Sequence, residues 1–234
     1  MRIGLLVVGH VDEASREVAG DYPQLFGSLL ARHGVDLVEY DLAAGRLPAS
    51  ITECDGWLCS PSRSSVYDDL PWIAPAEDLL RELIAAEQPY VGICFGHQLL
   101  AQALGAPVTR FPGGWQVGAQ TYDLVQSRPW MDPPLETVTL IASHQDQVVA
   151  LPDGAELLAR GVGGDSAVAG FTVGERAWTP QAHPEFVAPL ADHLLSRRVE
   201  LIGAEKVAAG RASLATPLDR EVVGAWIAGF FASA

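Results

Sequence analysis

Short apolar runs alternate with amphipathic stretches through the first half of the chain. Residues 3–8 form a continuous apolar run, which predicts a buried first strand. Leu25, Phe26, Leu29 and Leu30 recur with helical spacing and predict a helix ending near Gly34. A second strand is predicted over 35–40, and a third over 57–60, after the turn signal Asp55-Gly56. Leu79, Leu80, Leu83 and Ile84 mark another helical face, starting near Pro75. Residues 91–93 read as a fourth strand, and 97–104 as a helix stopped by Gly105 with Pro107 just beyond. This β-α-β order predicts an α/β fold: an open, mainly parallel sheet with helices on both faces.

The second half changes character. Short strand candidates at 116–124, 138–142, 156–159, 167–173 and 177–181 are separated by Gly, Pro and Asp, which predicts antiparallel additions to the sheet. Val222, Val223, Trp226, Ile227, Phe230 and Phe231 then form one stripe of a C-terminal helix, expected to pack on the body. With no linker, repeat or low-complexity stretch, residues 1–234 read as one domain.

Composition narrows the function classes. Hydrophobic residues make up 49% of the chain and charged residues 19%, the balance of a globular protein. The net charge is −14, from 29 acidic and 15 basic residues, and Lys206 is the only lysine. That balance disfavours nucleic acid and anionic membrane as partners. No apolar run approaches the ~18 residues of a membrane span. The N-terminal run is too short for a signal-peptide core, so the expected location is the cytoplasm. Cys54, Cys59 and Cys94 make no C-x-x-C pair, and no His/Cys/Asp cluster has metal-ligand spacing. Gly163-Gly164-Asp165-Ser166 only faintly echoes a pyrophosphate loop, and no nucleotide fingerprint is present. No cofactor is expected.

Two short stretches carry candidate chemistry. In Gly92-Ile93-Cys94-Phe95-Gly96 a strand turns at once into a helix, and Cys94 stands at the bend between two glycines. Such a bend needs small neighbours, and a helix N-terminus favours thiolate over thiol. Cys94 is therefore a candidate nucleophile. In His183-Pro184-Glu185, positions i and i+2 of an extended segment put an imidazole and a carboxylate on one side. Pro184 holds the residue before it extended. The carboxylate can fix one ring nitrogen as N–H while the other faces a thiol.

Three motifs in this order, Gly-Ile-Cys-Phe-Gly-His-Gln at 92–98, Ser-His-Gln-Asp at 143–146 and His-Pro-Glu at 183–185, resemble a class I glutamine amidotransferase domain. The branch resembled is the stand-alone, GMP-synthetase-like one that includes gamma-glutamyl peptidases. Gly20–Pro23, Ser65–Ile73 and Phe111–Gly118 add matching text, and the likeness runs over roughly residues 1–190. The resemblance implies a flavodoxin-like fold and a Cys94-His183-Glu185 triad that forms a gamma-glutamyl thioester from glutamine or another gamma-glutamyl amide. It implies the backbone N–H of Phe95 as one arm of the oxyanion hole. It also implies that Gln98 and the turn Ser143, His144, Gln145 and Asp146 hold the amino-acid head group. The family's second oxyanion arm comes from a glycine-containing loop after the third strand. Here that loop reads Ser60-Pro61-Ser62-Arg63-Ser64, and Pro61 has no N–H, so the arm falls to Ser62. A synthetase would carry a further ATP-pyrophosphatase domain, which these 234 residues lack. The expectation is therefore a hydrolase acting alone. The alternatives are an ammonia-donating subunit of a separate synthetase chain, or a catalytically weak binding relative.

Overall fold

The computed structural model describes residues 1–162 and 166–234; Gly163, Gly164 and Asp165 of the pyrophosphate-loop echo lie outside the described residues. Strand β1 (Arg2–Val7) is followed by α1 (Glu13–Ala19), α2 (Tyr22–Leu30), β2 (Asp36–Asp41) and β3 (Gly56–Cys59). Then come α3 (Ile73–Ala85), β4 (Tyr90–Gly92) and α4 (Phe95–Ala103). The strands β5 (Val108–Arg110), β6 (Gln116–Leu124), β7 (Thr137–His144), β8 (Asp146–Val148), β9 (Ala155–Gly161), β10 (Gly170–Val173) and β11 (Ala177–Pro180) follow. The chain closes with α5 (Ala188–Arg197), α6 (Val199–Ile202), α7 (Ala204–Ser213) and α8 (Arg220–Ser233).

Among the described residues, nine strands form one sheet in the order β2-β1-β3-β4-β11-β10-β9-β6-β7. The pairs from β2 through β4 to β11 are parallel, and those from β11 to β7 are antiparallel. The sheet is thus the expected α/β sheet with a parallel core and antiparallel additions. One detail differs from the sequence reading. The last short strand, β11, also runs parallel to β4, because the β10–β11 hairpin returns the chain in the direction of the core strands.

Apolar cores lie on both faces. One packs Leu25, Phe26, Leu29 and Leu30 of α2 and the α8 stripe against β1, β4 and β11. The other packs α3 and α4 against Leu6, Trp57, Cys59 and Tyr90. Local chemistry sets the helix starts. Asp21 caps α2 in a reciprocal box with Gln24, which accounts for the Gly20–Pro23 motif. Helix α3 begins at Ile73, two residues before Pro75, and α4 begins at Phe95 rather than at His97. Helices α1, α5, α6 and α7 go beyond the sequence reading; α1 and α6 are short and α7 has weak apolar periodicity, whereas α5 buries Leu190, Ala191, Leu194 and Leu195 on one face.

Candidate active site

The site lies where three neighbouring parallel strands end. Loop 60–65 leaves β3, Cys94 leaves β4, and the run Gln181–Glu185 leaves β11. Ligand clefts of open α/β sheets form outside these carboxyl ends. Hydrogen bonds lock the ends together: Ile93 N–H donates to Cys59 O (3.1 Å), and Cys94 N–H to Pro180 O (3.0 Å).

Cys94 has φ 52° and ψ −96°, a left-handed conformation rarely adopted by a residue with a side chain. The reason is crowding. A Cβ at Gly92 would meet the Gly96 backbone at 2.6 Å, and one at Gly96 would meet Cys59 Cβ at 2.9 Å. Two glycines therefore let the first turn of α4 fold down onto β3 and β4. Cys94 is the N-cap residue of α4, and the first amides of that helix, Phe95 among them, have no intrahelical acceptor.

His183 and Glu185 meet as the i, i+2 spacing predicts: Nδ1 lies 2.7 Å from Glu185 Oε1, with both residues buried. Nε2 has no hydrogen-bond partner among the described residues. Burial alone pulls the imidazolium pKa down, but the charges of Cys94 and Glu185 outweigh it and raise the value to about 10. Phe186 stacks on the ring, with centroids 4.1 Å apart. An isolated bridge joins His183 to Ile141, His183 N–H donating to Ile141 O (2.9 Å), so edge strand β7 curls back against this segment.

A cleft of about 250 Å³ opens over these groups. Cys94, His183, Ser62, Gln98, Ser143, His144, Gln145 and Asp146 all line it. Their side chains are not equally available. Gln98 Nε2 donates to Asp146 O (2.8 Å) and to Gln181 Oε1 (3.0 Å), so its amide donors are spent inside the protein. The Asp146 carboxylate accepts from Ser65 Oγ and from Tyr67 Oη (2.9 Å), which ties the 65–67 segment to the 143–146 turn. His144 is buried, with Nδ1 3.2 Å from Asp146 O, and burial reinforced by the His183 charge lowers its pKa to about 3. Thr179 Oγ1 sits 2.9 Å from Nδ1 of the buried His97.

Residues 27–200 match the family model described as glutamine amidotransferase class-I. The chain belongs to the class I glutamine amidotransferase family. Gamma-glutamyl peptidase 4 of Arabidopsis thaliana is 26% identical over 192 residues, covering 79% of this chain and 76% of its own length. A glutamine-hydrolysing GMP synthase of Thermotoga maritima is 31% identical over 135 residues, 58% of this chain but only 25% of its own. The solved structure of a glutamine amidotransferase from Thermotoga maritima superposes with a TM-score of 0.74 at 21% identity, covering 99% of this chain and 96% of that one. No helix among the described residues is long and apolar enough to cross a membrane.

The cleft also holds residues to which the sequence reading gave no role. Gln181 Nε2 donates to Cys94 Sγ (3.5 Å). With Gln98 it forms a relay from the Asp146 carbonyl to the thiol. Its position two residues before His183, on the same side of an extended segment, was the available signal. Tyr22, Arg63, Trp115 and Arg198 line the cleft from distant parts of the chain. Tyr22 and Trp115 fall within the family-like stretches Gly20–Pro23 and Phe111–Gly118, whereas no local pattern gives Arg63 or Arg198 a role.

Proposed function

We propose that this protein hydrolyses the gamma-amide of glutamine or of a gamma-glutamyl compound through a thioester on Cys94. The observation that carries the reading is the strained Cys94 at a helix N-terminus, in one cleft with a His183 whose Nδ1 is held by Glu185. The pKa of His183, raised to about 10, makes imidazolium its resting form at neutral pH. The thiolate attacks the gamma-carbonyl carbon. The C–N bond then breaks as His183 passes its Nε2 proton to the departing amine. Neutral His183 next takes a proton from water, whose oxygen attacks the thioester. Glutamate leaves and the Cys94–His183 pair is restored. The amides of Phe95 and Ser62 stabilise the oxyanion, and Glu185 keeps the ring oriented. The 143–146 turn serves the head group chiefly through backbone, since the side chains of His144 and Asp146 are engaged internally. Residues 1–234 act as one amidotransferase domain, working in the cytoplasm with neither nucleic acid nor membrane as partner.

The gamma-glutamyl peptidases among the relatives favour a gamma-glutamyl amide with an amine leaving group. The GMP synthase relation favours a second reading, in which the ammonia passes to a separate synthetase chain. Release of ammonia or amine from glutamine and gamma-glutamyl dipeptides by wild type and Cys94→Ala decides the matter. Loss of at least a thousandfold in the variant is expected. Equal, background release from both would sink the hydrolase. A rate that rises strongly only on adding a synthetase would favour the subunit.

A further inference from the structure

A gamma-glutamyl substrate brings an alpha-carboxylate into a cleft of a chain with 29 acidic and 15 basic residues. Besides His183, two arginines line that cleft, Arg63 and Arg198. Neither forms an ion pair among the described residues, whereas the adjacent Arg197 lies 3.9 Å from Asp12. Arg63 is exposed, on the loop after β3. Arg198, half-buried at the end of α5, donates from Nη1 to Ser143 Oγ (3.3 Å). Its guanidinium carbon stands 5.9 Å from the centroid of the Trp115 ring, which orients the planar group. Burial lowers its pKa and Arg63 adds to the effect, while Tyr22 and Asp12 oppose it. The carboxylates of Asp12 and Asp146 line the same cleft. The walls thus carry both signs, the complement of an amino-acid zwitterion.

We propose that Arg198, set by Trp115 and Ser143 at the rim of the 143–146 turn, is the anchor for the alpha-carboxylate of the gamma-glutamyl head group, with Arg63 as the outer cation. The sequence-predicted head-group residue Gln98 has no amide donor to spare, His144 is neutral, and Asp146 repels an anion. Arg198 presents guanidinium N–H donors beside that turn and, unlike the exposed Arg63, is half-buried and held by Ser143 and Trp115. The proposal rests on the gamma-glutamyl reading above and adds the residue that makes the head group obligatory.

The test compares gamma-glutamylethylamide with 4-aminobutanoyl-ethylamide, the same amide without the alpha-carboxylate, and with gamma-glutamylalanine, which adds a carboxylate to the leaving group. Wild type should prefer the first over the second by about 10- to 100-fold in kcat/KM, the range of one charge-assisted hydrogen bond. Arg198→Gln should erase most of that preference through KM while kcat stays within about threefold, as for a contact made equally in ground and transition states. Arg198→Lys should restore part of it, which a fold defect would not. An Arg198→Gln enzyme that keeps the wild-type preference overturns the anchor. So does a loss confined to gamma-glutamylalanine, which would move Arg198 to the leaving-group side. If wild type cleaves none of the amides, the hydrolase reading fails, and binding decides the anchor separately. Calorimetry on Cys94→Ser must then show glutamine bound at least tenfold tighter than 4-aminobutyramide, and the gap closed by Arg198→Gln. Equal binding of the two ligands to Cys94→Ser overturns it.

Discussion

At the scale of single residues, Cys94 and His183 divide the work between strain and charge. The positive φ of Cys94 costs about 1–3 kcal/mol, tolerated because the turn around it is over-determined by Gly92, Gly96 and two backbone hydrogen bonds. His183 is held by charge. Its folded pKa of about 10 lies above the ordinary 6.5, so the folded state binds the proton more tightly than the unfolded chain. The stability it contributes is complete below pH 6.5 and is lost as the pH rises through about 10. Urea unfolding of wild type and His183→Gln from pH 6 to 10.5 should therefore give a difference in free energy that narrows across that window. A constant difference would mean that the imidazolium is not what holds the pair.

At the scale of elements, the elbow works because β4 and α4 share almost no connecting chain. Gly92 is the hinge of that economy: its missing side chain leaves room for the Gly96 carbonyl, which also accepts from Tyr90 Oη (2.9 Å). Gly92→Ala should force the first turn of α4 off β4. The expected result is a destabilisation of about 1–3 kcal/mol from overpacking, with a loss of Cys94 reactivity larger than that of global stability. Chemical denaturation and the rate of Cys94 alkylation measure the two. Unchanged alkylation in the variant would show that the close approach is not needed. This element was legible beforehand, since glycines on both sides of a cysteine between an apolar run and a helical pattern leave few other backbones open.

At the scale of the whole molecule, α8 ties the chain terminus to the strand that carries His183. Trp226, Ile227, Phe230 and Phe231 are buried against α2 and the sheet, and Phe230 meets Trp130 and Trp178, the latter on β11. Trp226 Nε1 also donates to Pro133 O (3.0 Å). Trp226→Ala removes a fully buried indole and should cost about 3–5 kcal/mol. Thermal unfolding measures that cost, and a loss below about 1 kcal/mol would remove α8 from the core. The stripe itself was plain from its spacing, but its partner was not. Neither was the return of β7 onto His183, because a bridge between residues 141 and 183 leaves no local trace.

The sequence by itself determined what depends on neighbours in the chain. The apolar runs and helical stripes set the elements, the glycines set the bend at Cys94, and the i, i+2 step set the His183–Glu185 pair. Tertiary structure decided everything that depends on distant segments meeting. It turned β11 parallel to β4, so that Cys94 and the run to His183 leave adjacent strand ends. It spent Gln98 on Gln181 and the Asp146 carbonyl instead of leaving it free, and it brought Arg198 beside Ser143. Side-chain availability depends on which other groups arrive to take its hydrogen bonds. No pattern along one chain records that.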